Sequence, residues 1–197
     1  MPRQASPPGF DPEPQASDSL FFAIFPDAAA AARIAQLAQQ LRGEQGLHGK
    51  PLKTERFHVT LHHLGNYVGL PQELVTLAGE AAASVLIPPF EVAFDRAGSF
   101  TSAPRHRPLV LRGGEGLMAL SAFQHALGVA LVQSGLQRWA KPGYTPHATL
   151  LYDDRSVAEQ AVETIAWMAR EFVLVHSQLG EGRYIPLGRW PLREAPA

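Results

Sequence analysis

The sequence predicts an α+β domain of two pseudo-symmetric lobes, with antiparallel sheets lining a central groove and helices outside. Three observations support this fold class. Each half of the chain runs strand, helix, basic loop, strand, helix, strand. A His-x-Thr triplet lies on the second strand of each half, at residues 58–60 and 147–149. The triplets also begin equally far, 38 residues, beyond the leading strands at Leu20 and Leu109. We therefore expect two copies of one structural unit.

The composition is that of an ordinary globular domain, with 197 residues, 46% of them hydrophobic, and a net charge of −1. A charge so close to zero excludes a protein that coats nucleic acid by charge alone. The lack of cysteine excludes a disulfide framework and a cysteine-based zinc site or nucleophile. We find no apolar run that suits a membrane span and no signal peptide, so the cytoplasm is the default location and we expect no membrane partner. We also expect a monomer.

The N-terminal segment is rich in proline and poor in apolar side chains. This composition is typical of a chain that cannot bury enough surface to fold. We therefore expect residues 1–17 to be a disordered tail and residues 18–197 to form a single bilobal domain.

The first half begins with a buried strand at residues 20–25. Asp27 is a candidate N-cap for an alanine-rich helix that ends near Arg42. Pro71 suits the first turn of a second helix, because its missing N–H group needs no partner there. Apolar and polar residues then alternate over residues 90–95, which indicates a half-buried strand.

The second half repeats this order with a strand at residues 109–111 and a helix whose leucines recur over residues 117–131. Near the C-terminus, alternation over residues 172–177 predicts a further strand. Residues 183–190 are rich in apolar and aromatic side chains, and we expect them to form its antiparallel neighbour.

A further helix of this half is predicted after the second triplet. Ser156 and Glu159 have the spacing of a capping box, which satisfies the free N–H groups of a helix start. The apolar residues that follow at helical spacing are Val157, Ala161, Ile165 and Met168.

The two triplets place histidine and threonine on the same strand face, because successive side chains of a strand point to opposite sides. Histidine can take and give a proton near neutral pH, so two of them could share general base and general acid catalysis. The threonine hydroxyls could donate to non-bridging phosphate oxygens as charge builds there. This scheme suits a 2′,3′-cyclic phosphate, whose leaving group stays tethered, and it requires no metal and no cofactor.

The chain resembles the 2H phosphoesterase superfamily, and within it the RNA 2′,3′-cyclic phosphodiesterases, also described as 2′-5′ RNA ligases. The segments that carry the resemblance are LFFAIFP at 20–26, FHVTLHHLG at 57–65, PHATL at 146–150 and the run from Phe172 to Leu192. The resemblance implies a bilobal 2H phosphoesterase fold and a 2′-phosphate product, with weak reverse ligation. RNA ends or cyclic nucleotides would be the partners.

The resemblance also assigns roles to residues. His58, Thr60, His147 and Thr149 fall on the family's catalytic positions, with His147 as the base that activates water and His58 as the acid. Many relatives have arginine just after each motif, where this chain has His62 and Tyr152. The further candidates for binding the phosphate are Arg56, His63, Tyr152, Arg105 and Arg107.

Three alternatives remain open at this point. Phe100 either stacks on a base, as aromatics do with unpaired nucleotides, or closes the core at a strand end. His58, His62 and His63 could bind zinc, but their spacing suits a helix rather than a strand. The protein could also bind RNA ends or phosphorylated nucleotides without turnover, although binding alone does not need two proton carriers.

Overall fold

The computed structural model describes residues 15–102 and 104–194 as an antiparallel sheet of eight strands with three α-helices and three short 3₁₀ turns. The strands are β1 (Asp18–Ile24), β2 (Val59–Tyr67), β3 (Phe90–Ser99), β4 (Arg107–Arg112), β5 (Ala148–Asp153), β6 (Gln160–Ala169), β7 (Glu171–Gln178) and β8 (Arg183–Pro191). The helices are α1 (Ala28–Glu44), α2 (Gln72–Ala83) and α3 (Met118–Gln133).

The strand order, β6-β3-β4-β5-β2-β1-β7-β8, divides the sheet into two four-stranded halves. They meet at the two motif strands, where Val59 of β2 pairs with Ala148 of β5. Each half of the sheet contains strands from both parts of the sequence. Strand β3, from the first part, pairs with β4 and β6, while β7, from the second part, pairs with β1 and β8. The predicted α+β fold of two similar lobes is therefore confirmed, with the lobes interleaved along the chain.

The two faces of the sheet have different partners. Leu20, Phe22 and Ile24 of β1 join the main core together with the buried faces of the helices. Phe21 and Ala23 point the other way and form a small cluster with valines of β7. The motif groove lies on this second face. The predicted N-cap at the start of α1 is confirmed, since the Ala30 N–H donates to Asp27 Oδ1 at 2.8 Å.

The helix predicted from Ser156 and Glu159 is wrong, because this segment forms strand β6 beside β3. Buried Ile165, Trp167 and Ala169 alternate with more exposed neighbours, the period of a strand. The Glu159 side chain accepts hydrogen bonds from arginine side chains of β3 and β4 rather than capping a helix. Pairing with β3 therefore outweighs the local helical pattern.

Two further expectations concern the N-terminal tail and membrane-spanning segments. Of the predicted tail, residues 1–14 lie outside the described residues, but Ser17 already joins the sheet by donating to the Tyr67 carbonyl at 2.9 Å.

Residues 115–133 are, contrary to our interpretation of the sequence, long and apolar enough to cross a bilayer by length and composition. Helix α3 instead buries one face in the core, through residues such as Phe123 and Leu127.

Candidate active site

The two motif strands bring both His-x-Thr pairs together on one face of the sheet. Val59 and Ala148 are buried in the core, so the residues that flank them point to the groove. The antiparallel register sets His58 across from Thr149 and Thr60 across from His147. The result is a square of two imidazoles and two hydroxyls, with each histidine facing the other motif's threonine. All four side chains are half-buried.

Both imidazoles are held in the same way. Nδ1 of His58 donates to the Arg56 carbonyl at 2.7 Å, and Nδ1 of His147 donates to the Thr145 carbonyl at 2.8 Å. In each motif the acceptor is two residues before the histidine. Because a carbonyl oxygen can only accept, these bonds fix the proton on Nδ1. Nε2 of each ring has no hydrogen-bond partner within the described residues and is left to exchange a proton.

Each imidazole also stands on edge against an aromatic ring. The ring of His58 lies 5.3 Å from that of Tyr184 at 87°, and the ring of His147 lies 4.9 Å from that of Phe100 at 83°. Two more rings, Phe21 and Phe25, crowd His58 at 5.1 and 6.0 Å. These contacts fix the ring planes and keep water from much of the His58 side chain.

An arginine lies over each of these two aromatic rings. The Arg56 guanidinium is 4.9 Å from the centre of the Tyr184 ring and donates to its hydroxyl at 3.2 Å. The Arg112 guanidinium is 5.2 Å from the centre of the Phe100 ring. These distances suit cation–π attraction. Phe100 therefore packs against His147 and also lines the neighbouring cavity, so its stacking on a base stays a prediction.

The surroundings favour the neutral form of both imidazoles. Burial lowers the pKa of His58 from 6.5 to about 4, and the nearby charges of Arg56 and His147 add to this effect. Burial also lowers the pKa of His147, helped by the charge of Arg112. In each case the hydrogen bond to the backbone carbonyl opposes the change. The unliganded site therefore holds two neutral imidazoles at neutral pH.

A β-bulge after each threonine changes which residue faces the groove. Leu61 and Leu150 are the extra residues, as shown by the register shifts against β1 and β4. His62 consequently turns towards the core and is only 5% exposed. His63 and Tyr152, each five residues after its motif histidine, return to the face of the groove.

These two residues have different surroundings. His63 lines the cavity beside His147, and its Nε2 lies 3.1 Å from both Ser19 Oγ and Asn66 Oδ1. Tyr152 does not line that cavity; its ring stacks on His106 at 4.6 Å. The bulge also separates His62 from His58 and His63. Among the described residues, no group of three potential ligands is placed to hold a metal.

Of the three arginines predicted to bind the phosphate, one lies at the site and two do not line its cavity. Arg56 lies beside His58, since the Arg56 guanidinium and the His58 ring both contact the Tyr184 ring. Arg107 donates to the Asp154 carbonyl, and Arg105 is exposed. Neither of these two lines the cavity beside His147.

A cavity of about 450 Å³ opens beside Thr60 and His147. Its wall includes Phe100, Ser102 and the loop from Lys141 to Thr145. Sequence patterns mark this loop as basic but give Lys141 no role. They also miss Arg112 and Tyr184, which reach the site from distant strands and carry no local motif.

Comparison with known proteins places this site in a family. The sequence model described as the 2′-5′ RNA ligase superfamily matches residues 25–181. The chain belongs to this superfamily. The match contains both His-x-Thr triplets and the strands that carry them, so the resemblance noted in the sequence is confirmed. None of the curated proteins matches the sequence significantly.

Solved structures agree with the assignment to the 2′-5′ RNA ligase superfamily. Escherichia coli LigT without ligand is 24% identical with a TM-score of 0.71, over 91% of this chain and 100% of that one. The same protein complexed with 3′-AMP is 25% identical with a TM-score of 0.67, over 90% and 99%. TT0787 of Thermus thermophilus is 24% identical with a TM-score of 0.69, over 89% and 98%. The expected 2H phosphoesterase fold is therefore confirmed.

Proposed function

We propose that this protein is an RNA 2′,3′-cyclic phosphodiesterase, which hydrolyses a terminal 2′,3′-cyclic phosphate to a 2′-phosphate without a metal ion. The observation that carries the proposal is the matched pair of imidazoles. In both, Nδ1 donates to a carbonyl, Nε2 has no partner in the described part of the chain, and a threonine hydroxyl lies alongside. Structures of E. coli LigT complexed with phosphate and with 3′-AMP add support for a phosphate-bearing nucleotide as ligand.

The reaction needs one proton taken and one given. As the oxygen of water bonds to phosphorus, one imidazole Nε2 takes the water proton. As the bond from phosphorus to O3′ breaks, the other imidazolium donates its proton to O3′. Thr60 and Thr149 would donate to the non-bridging oxygens, where negative charge builds in the transition state. A 5′-hydroxyl of a second RNA in place of water would give a weak 2′-5′ ligation.

We assign His147 as the base and His58 as the acid, as the resemblance implies. The His58 pKa of about 4 means that this ring is unprotonated at neutral pH in the free protein, whereas a general acid must carry a proton. The bound phosphate must therefore raise the proton affinity of His58. Its negative charge favours the imidazolium form of both rings. The aromatic cage around His58 excludes water, and Coulomb attraction grows as the local dielectric falls. We therefore expect substrate to raise the pKa of His58 more than that of His147.

The pKa values predict an acidic pH optimum for kcat/KM, a parameter that reports ionisations of the free enzyme. The active form carries one proton, on the acid. Both pKa values lie below 6.5, so the singly protonated form declines as pH rises through the higher value. The kcat profile should extend further to alkaline pH, because bound phosphate raises the pKa of the acid. A kcat/KM optimum above neutrality would contradict these lowered pKa values.

The test of the function is incubation of a 2′,3′-cyclic mononucleotide with the protein in EDTA, followed by phosphorus NMR. We expect the cyclic resonance to be replaced by that of a 2′-phosphate monoester. A protein that only binds RNA ends would protect the cyclic phosphate or leave it unchanged. If EDTA abolished turnover and a divalent metal restored it, the metal-free scheme would be wrong.

A further inference from the structure

The cavity beside Thr60 and His147, which we call the catalytic cavity, has a neighbour between helix α3 and the loop of residues 140–144. We call this neighbour the α3 cavity, and its volume is about 650 Å³. The segment from Lys141 to Tyr144 lines both cavities, as do His62 and Gln124. The two spaces are therefore neighbours that share one wall, and a ligand chain could pass from one to the other past Lys141.

The α3 cavity combines apolar surface with positive charge. Val129 and Val132 of α3 line it and are 43% and 49% exposed, a large fraction for valine on a core helix. Lys141 supplies the positive charge, and His125 also lines the cavity. Among the described residues, no carboxylate lines either this cavity or the catalytic one. Apolar surface beside a cation suits a nucleobase followed by a phosphate.

The opposite end of the groove, next to His58, is lined by acidic side chains instead. A cavity of about 580 Å³ adjoins the Tyr184 and Phe25 rings next to His58. Three carboxylates line it, from Asp27, Glu55 and Glu171, against two arginines. One of these, Arg189, is already paired with Glu171 at 2.5 Å. These carboxylates would repel a polyanion. The charges therefore favour a path in which the RNA strand, with its terminal phosphate at the histidines, continues past Lys141 rather than into this cavity.

We propose that the α3 cavity binds the nucleotide that precedes the terminal one in an RNA strand. Its base would lie on Val129 and Val132, and the phosphate that joins the two nucleotides would lie near Lys141. This inference rests on the proposed function and makes it more specific, because it names the place where the nucleotide before the terminal one would bind.

The test compares kcat/KM for a cyclic mononucleotide and for a trinucleotide that ends in a 2′,3′-cyclic phosphate. Burial of apolar base surface against the two valines makes the trinucleotide about tenfold better for the unmodified protein. Val132→Glu removes this preference and leaves the mononucleotide rate unchanged. Ala122→Glu is the matched control. It adds the same charge to the exposed face of α3 about three turns earlier, outside the cavity, and keeps the preference.

Several results would overturn this proposal while leaving the proposed function intact. They are equal rates for the two substrates with the unmodified protein, an unchanged preference in Val132→Glu, and an equal loss in Val132→Glu and Ala122→Glu. Val129→Glu replaces Val132→Glu if circular dichroism shows that the latter does not fold. Fluorescence anisotropy of a labelled trinucleotide gives a second readout. If no substrate were hydrolysed, the proposed function would fail, but Val132→Glu would still have to weaken trinucleotide binding about tenfold, through the loss of apolar contact.

Discussion

His58→Ala and His147→Ala should each lower kcat/KM for a 2′,3′-cyclic phosphate by about 10²-fold or more, as expected for loss of a general acid or base. Each variant removes one of the two Nε2 atoms that are free to exchange a proton. The double variant should lose much less than the product of the single effects, because residues that act as a unit are not additive. Steady-state kinetics with a cyclic mononucleotide measures all three.

His48→Ala is the matched control for these variants, because His48 is exposed and lines neither the catalytic cavity nor the α3 cavity. We expect it to retain full activity. Thr60→Ala and Thr149→Ala should cost less than the histidine variants and keep a bell-shaped pH profile. A single histidine variant with the activity of the unmodified protein would rule out the two-histidine mechanism.

Phe172→Ala should destabilise the fold by about 3–5 kcal/mol, the range found for removing a buried phenylalanine ring. Phe172 is fully buried in the core behind the groove. Its ring lies 5.0 Å from that of Phe123, 6.0 Å from that of Phe22 and 5.6 Å from that of Trp190. It therefore joins helix α3 to strands β1 and β8. Chemical denaturation measures the change in the free energy of unfolding.

Phe172→Leu is the control, because it keeps most of the side-chain volume. We expect it to cost less than about 1.5 kcal/mol. Equal losses for the alanine and leucine variants would show that the contacts between the aromatic rings, rather than the filled volume, stabilise this part of the core.

The sequence predicted the motif strands well because their signal is local. Alternation of buried and groove-facing residues places His58 and Thr60 on one side, with Val59 on the other, and the structure shows this arrangement. The alternation fails one residue later, because the bulge at Leu61 adds an extra residue. A bulge depends on pairing with β1 and leaves no period in the sequence. That is why the orientations of His62 and His63 could not be predicted.

The incorrect helix at β6 has a similar cause. The apolar residues of this segment fit both a helical and an alternating period. The capping-box spacing of Ser156 and Glu159 then favoured the prediction of a helix. The edge of β3 decided the outcome, since Val92 pairs with Trp167 and Phe94 with Ile165. Long-range pairing also supplies Tyr184 and Arg112, which flank the site from β8 and β4. Arg112 lies in no motif of the sequence, and the run from Phe172 to Leu192 carries the family resemblance without giving Tyr184 a role.

The most direct test of the two-histidine account is a substrate whose 3′ bridging oxygen is replaced by sulfur, a leaving group that needs no proton. We predict that this substrate restores His58→Ala to within about tenfold of the unmodified protein, because the acid is no longer required. His147→Ala should remain about 10²-fold slower, since water must still be activated. Rescue of His147→Ala alone would reverse the two roles, and an equal response of both variants would contradict the division into acid and base.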